Sequence, residues 1–167
     1  MKINISLTPS SIDNAIAQIK QFQKEITSKL DIVCERLAIL IKDEALIGFL
    51  NAEYDGVNNV EVAYTRTDKG YLVTATGNAV LFIEFGAGVY YNGSGGSYPS
   101  NKPSGLLNIG EYGYGRGKNN AWGFYWNGNK QDLVVTRGNP PAAAMFYAKE
   151  NARQQITSIC KEVFGNG

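Results

Sequence analysis

The sequence predicts an α+β fold: a long amphipathic helical region at the N-terminus, an antiparallel sheet of about four strands, and a C-terminal helix packed on that sheet. Three observations carry this expectation. Apolar residues recur every three or four positions from Ile12 to Leu40, apolar and polar residues alternate through 60–76, and a second three-to-four pattern runs from Met145 to Val163. At 167 residues and 18.2 kDa the chain has the length of one domain with a sizeable core, so 1–167 is read as a single unit.

The helical region covers 8–51. Ile12, Ile16, Ile19, Phe22, Ile26, Leu30, Val33, Leu37 and Leu40 form a continuous apolar stripe. Pro9 marks its start, with Ser10 or Ser11 as the cap, and Gly48 and Asp55-Gly56 mark its end. A run above 40 residues suggests a coiled coil or a bent pair, and the reading favours two helices, one to about Gln21 and one from about Gln23 to Leu50. Ile26, Leu30, Val33 and Leu37 are expected to face the sheet or the last helix. The sheet region covers 60–85 and 131–136. Val60–Thr65 and Tyr71–Thr76 flank a turn at Asp68-Lys69-Gly70, Gly77-Asn78 offers a second turn before a strand at 79–85, and 131–136 supplies the fourth strand. Asn139 is placed to cap the final helix, 140–164, with Pro140 in its first turn.

Between the third and fourth predicted strands lies an insertion, 86–130. Its first 43 residues, Gly86 to Gly128, hold twelve of the 19 glycines, nine aromatics and only four charged residues. Glycine brings no packing surface and a large ordering entropy, so this mixture does not build a core. A solvated linker would not carry so many aromatic rings. The segment therefore reads as a contact surface that orders on a partner, with Tyr90, Tyr91, Tyr112, Tyr114, Trp122, Phe124, Tyr125 and Trp126 as its interface residues.

Composition argues against most chemistry. The chain has no histidine, the commonest general base and metal ligand. Two distant cysteines without histidine make no zinc site. Cys34 and Cys160 fall on apolar helix faces and are read as buried free thiols of a reducing compartment. Gly113–Gly117 lacks the strand-to-helix context and the following lysine of a phosphate cradle. Glu84, inside an apolar segment, is read as lying on the exposed sheet face or pairing with Arg137 rather than as a catalytic carboxylate. Sixteen basic and fifteen acidic residues leave +1, so bulk charge recruits neither nucleic acid nor acidic lipid. No apolar run reaches the roughly 18 residues of a membrane span, and Met1–Leu7 lacks the pattern of a signal peptide. Neither an enzyme nor a cofactor is expected.

Two segments carry a resemblance. Phe82-Ile-Glu-Phe-Gly-Ala-Gly88, the Gly/Tyr-rich insertion, and Thr136-Arg-Gly-Asn-Pro-Pro-Ala-Ala-Ala-Met145 opening a helix occur in that order. With the N-terminal helix running into Asn51–Gly56, this arrangement resembles the tail-component family of long-tailed bacteriophages, the gene-product-ten-like neck and tail-completion proteins. Glu84, Phe85, Gly86, Gly88, Gly138 and Pro140 occupy the matching motif positions. The resemblance spans roughly 8–164 and rests on the order and spacing of the motifs, since each is short and degenerate.

The resemblance implies a structural virion protein of the head–tail junction, made in the host cytoplasm and assembled as a homo-oligomeric ring, commonly six-fold. Its partners would be the portal-proximal connector and tail proteins, with packaged DNA in the lumen and Arg116 and Lys118 as the candidates to face it. No membrane is involved. Two other classes stay open on the residues alone. A carbohydrate- or cell-wall-binding module would use Trp122, Tyr125 and Trp126 as a stacking platform, and a small toxin or nuclease-like effector is disfavoured by the lack of histidine.

Overall fold

The structure is a computed structural model that describes residues 6, 8–54, 56–86, 122–125, 130–136, 139 and 141–165, with the side chains of 122–124 and 136 outside the description. The chain mixes helix and sheet, as its sequence predicts.

Helix α1 is one uninterrupted element, Pro9–Leu50, of 42 residues. The predicted break near Gln21–Gln23 does not occur, because no glycine or proline lies between Pro9 and Gly48 to interrupt the backbone ladder. Its N-cap is Thr8, in extended conformation, whose carbonyl accepts the N–H of Ser11 and of Ile12 at 3.1 Å each. Ser11 does not cap from outside; its Oγ sits within the first turn and accepts the Ser6 N–H at 2.9 Å.

Strands β1 (Glu61–Thr67) and β2 (Gly70–Thr76) form an antiparallel hairpin, with Glu61 opposite Thr76 and Thr67 opposite Gly70. The predicted hairpin is therefore present. Val62, Tyr64, Tyr71, Val73 and Ala75 turn half-buried side chains inward while Glu61, Thr65, Thr74 and Thr76 face solvent. An ion pair from Arg66 to Asp31 at 3.0 Å ties the hairpin tip to α1.

The third predicted strand is a helix. Val80–Phe85 forms the short α2, closed by Gly86. A short continuous apolar run cannot distinguish a strand from a buried helical turn by periodicity alone. Strands β3 (Trp122–Tyr125) and β4 (Leu133–Thr136) pair antiparallel with each other and not with the first hairpin. Among the described residues, a single four-stranded sheet does not form.

Helix α3 is Ala144–Gly165 and starts four residues later than predicted. Ala142 and Ala143 give their N–H groups to the α2 carbonyls and Ala143 adopts φ 50°, which keeps both residues outside the helix and delays its first turn. Its main partner is α1 rather than the sheet. Gly48 meets Ala144, Glu44 accepts a hydrogen bond from Asn151 Nδ2, Arg36 pairs with Glu162 at 3.0 Å, and Lys29 lies 5.7 Å from the Phe164 ring centroid. Numbers rise on one helix as they fall on the other, so the two run antiparallel. A Cβ built on Gly48 would come within 2.8 Å of the Ala144 Cβ. With Ala45, Ala148 and Ala152 also buried along this seam, small residues let the backbones approach closely, and that contact captures α3.

The core lies at the C-terminal end of α1. Phe49 and Ile83 are fully buried, packed with Ala45, Val60, Ala79, Ala144 and Ala148. Of the four α1 residues expected to be covered, Val33 is buried and Ile26 and Leu37 are half-buried, whereas Leu30 is exposed. Helix α3 ends at Gly165, near the level of Lys29. Residues 9–28 of α1 therefore extend past it by about 30 Å at 1.5 Å per residue. Along this extension Ile12, Ile16, Ile19 and Phe22 are 42–45% exposed, while Ala15 is buried.

Candidate functional site

The two segments that carry the resemblance meet in a hydrogen-bonded joint. Helix α2 ends at Phe85, which leaves its last carbonyls without helical partners; α3 begins at Ala144, which leaves its first N–H groups in the same position. The joint satisfies both ends. Asn139, itself buried, donates its side-chain N–H to the Phe82 carbonyl at 2.8 Å. The backbone N–H of Ala142 reaches the Ile83 carbonyl at 2.8 Å, and that of Ala143 reaches the Glu84 carbonyl at 3.1 Å. In return the Glu84 carboxylate accepts the N–H of Met145 at 2.9 Å and of Phe146 at 3.1 Å.

Arg137, the pairing partner expected for Glu84, lies outside the described residues, and Glu84 itself is not on an exposed sheet face. It is 6% exposed and serves as the N-terminal cap of a helix sixty residues away in sequence. The favourable end of the α3 dipole and two charge-assisted hydrogen bonds make its burial tolerable. Burial pushes its carboxyl above the ordinary value of about 4.5, opposed by the N–H groups of Met145, Phe146 and Ala144. Asn139, predicted to cap α3, instead binds α2.

Gly86 closes α2 at φ 77° and ψ 164°, a region open essentially to glycine alone, and it is buried. Ala143 adopts φ 50° although it carries a Cβ. It is fully buried against Phe85 and Phe146, and its hydrogen bond to Glu84 helps hold a conformation costing about 1–2 kcal/mol. Phe85 is half-buried here. Gly88, Gly138 and Pro140, the remaining motif positions, lie outside the described residues.

The predicted contact residues are described only in part. Tyr90, Tyr91, Tyr112, Tyr114, Arg116, Lys118 and Trp126 lie outside the described residues. Trp122, Phe124 and Tyr125 sit on β3, opposite Thr136, Val134 and Leu133. Tyr125 is 50% exposed, and Leu133, Val134 and Val135 on β4 are also exposed. No family model, curated protein or solved structure matches the chain.

Elsewhere the described residues offer little reactive chemistry. A cleft of about 330 Å³ between α1 and α3 is lined by Glu44, Gly48, Ala144, Ala148, Glu150 and Asn151. Glu44 is bonded to Asn151, and Glu150 to Lys149 and Arg153. No group of three or more metal-ligating side chains occurs among the described residues, and no described helix is long and apolar enough to cross a membrane. The expectation of two buried thiols is corrected: Cys34 is exposed and Cys160 half-buried, both as free thiols. Cys34 looks outward from α1 where neither α3 nor the hairpin covers it.

The capping role of Glu84 escaped the sequence reading; a lone carboxylate in an apolar run was its available signal.

Proposed function

We propose that the protein is a structural component of the bacteriophage head–tail junction, a neck or tail-completion subunit that forms a ring joining the connector to the tail. The observation that carries the reading is the joint itself. The Glu84-Phe-Gly86 segment and the segment running into Met145 are the stretches that resemble the tail-component family, and they hold each other through backbone and carboxylate hydrogen bonds. Their contact gives a physical reason for the two stretches to occur together in one chain. The exposed apolar groups on β3 and β4, Tyr125, Leu133, Val134 and Val135, support a subunit built for contacts. Head-to-tail contacts whose rotation closes give a ring.

Native mass spectrometry and electron microscopy of the purified protein with its connector test this reading; the expected result is a closed ring, six-fold in the commonest form. Within it, Trp126→Ala should leave circular dichroism unchanged. Loss of an aromatic anchor costs about 2 kcal/mol or more at an interface, roughly a thirtyfold loss of affinity per contact. Heads and tails should then remain unjoined. Normal joining by Trp126→Ala, together with loss of binding to a cell-wall sugar, would instead support a carbohydrate-binding module in which Trp122, Tyr125 and Trp126 stack on the ligand.

A further inference from the structure

The joint brings two distant parts of the chain to one point. Asn139 bonds the Phe82 carbonyl, Ala142 the Ile83 carbonyl and Ala143 the Glu84 carbonyl, while the Glu84 carboxylate accepts from Met145 and Phe146. The chain therefore leaves this point at Gly86 and returns to it at Asn139. The 52 residues between them, 87–138, are an excursion whose two ends are held together. The core draws on none of them. The main buried cluster, from Ala45 to Ala148, and the smaller one of Ala143, Phe85 and Phe146 lie wholly within 8–86 and 139–165. No residue of 87–138 whose side chain is described is buried. Strands β3 and β4 pair with each other and pack on no other described element to the extent that α1, α2, α3 and the first hairpin do among themselves. Ala15, buried near the start of α1, lies outside both clusters and brings a single methyl group, so whatever covers it adds little to the stability of the core.

We infer that 8–86 and 139–165 fold as a self-sufficient body, and that 87–138 is an appended module which the joint carries and the body does not need. Size permits this. The two stretches together hold about 105 residues, well above the roughly 40 below which a chain usually needs a disulfide, a metal or a partner to fold. Geometry permits it too. Asn139 lies within a side chain's reach of Phe82, and Phe82 is one helical turn from Gly86, so a linker of about six residues, about 20 Å when extended, closes the gap. Chain statistics favour it, because holding the ends of a flexible loop together costs more entropy the longer the loop is. The consequence for function is that stability and contact reside in different parts of the chain. The residues of 87–138 can be exchanged for another contact surface while the joint and the core stay as they are. This inference concerns the fold of the body and does not rest on the head–tail reading.

The test is to replace 87–138 by Gly/Ser linkers of about six and about twelve residues, the second length guarding against a strained closure. Both shortened chains should keep the helical circular dichroism of α1 and α3 and unfold cooperatively on heating. Their midpoints should equal or exceed that of the full chain, since shortening the closed loop from 52 residues to about six favours closure about twentyfold. Glu84→Gln reports whether the joint still closes: it should lower the midpoint of the shortened chain as much as that of the full chain. Loss of cooperative unfolding with both linkers, or midpoints below that of the full chain with both, would overturn the inference by showing that the body leans on the excursion. Glu84→Gln without effect in the shortened chains would overturn it as well, because the joint would then not form without 87–138. Assembly of the same folded chains with the connector reads the junction proposal separately. Failure to form a ring there, with the fold retained, would place the ring contacts on 87–138 and leave the inference about the body standing.

Discussion

Glu84 concentrates two roles in one side chain: it fills a buried site within the apolar run of α2 and caps α3. Glu84→Gln keeps the shape but turns an N–H toward one of the two backbone donors. The expected loss is about 1.5–3 kcal/mol in denaturant unfolding, the scale of hydrogen bonds to a charged group. The sign of its pH dependence follows from burial. The folded carboxyl titrates above its unfolded value of about 4.5, so the folded state holds the proton more tightly. Its contribution to stability is full below that value and is lost as pH rises through the folded pKa. A stability–pH curve should show this fall in the native protein and lose it in Glu84→Gln; identical slopes for the two would mean that Glu84 is not shifted upward. Gly86→Ala acts beside it. A Cβ at φ 77° is strained wherever it points, and a cost of about 1–3 kcal/mol is expected, read as a lower unfolding midpoint.

At the scale of elements, the seam between α1 and α3 decides where α3 goes. An apolar stripe on a C-terminal helix predicts a covered face without saying what covers it, and packing on the sheet was the expectation. Small residues overrule it: Ala45 and Gly48 on α1 face Ala144, Ala148 and Ala152 on α3 closely enough that no side chain fits between backbones at Gly48. Gly48→Leu should therefore destabilise by about 1–3 kcal/mol through overpacking, since the obstacle is the Ala144 backbone and Cβ rather than a flexible side-chain end. Unchanged stability in thermal unfolding would show that the helices separate more easily than this contact implies. Helix α2 illustrates the opposite limit. Its six residues have no periodicity to read, and its helical form depends on Asn139, Ala142 and Ala143 satisfying its carbonyls.

For the molecule as a whole, stability should be concentrated around residues 41–54, 60–85 and 142–148, where the hairpin, α2 and α3 converge on Phe49. Phe49→Ala is expected to cost about 3–5 kcal/mol, as emptying a filled aromatic site does. Ile16→Ala should cost less than about 0.5 kcal/mol in the monomer, being remote from that core. Hydrogen exchange along α1 checks the same gradient, with slow exchange over 38–50 and faster exchange toward Pro9 at low protein concentration. Equal protection along the whole helix in a demonstrated monomer would contradict it.

Local pattern by itself determined the helical character of 9–50, the hairpin of 60–76 with its turn at Asp68-Lys69, and the C-terminal helix. Each rests on a periodicity or a turn signal contained within the element. It also singled out Glu84 as an unusual residue in an apolar setting. Only the tertiary structure decided that 80–85 is helical, that β3 and β4 form their own ladder, that α3 packs on α1, and that Glu84 caps α3. Apart from the β3–β4 ladder, whose strands are near neighbours in the chain, those outcomes depend on hydrogen-bonded partners 57 to 126 residues apart in sequence. A one-dimensional pattern records which face of an element is apolar; which surface comes to lie against it is settled by close approach at Gly48 and by hydrogen-bond demand at two helix ends.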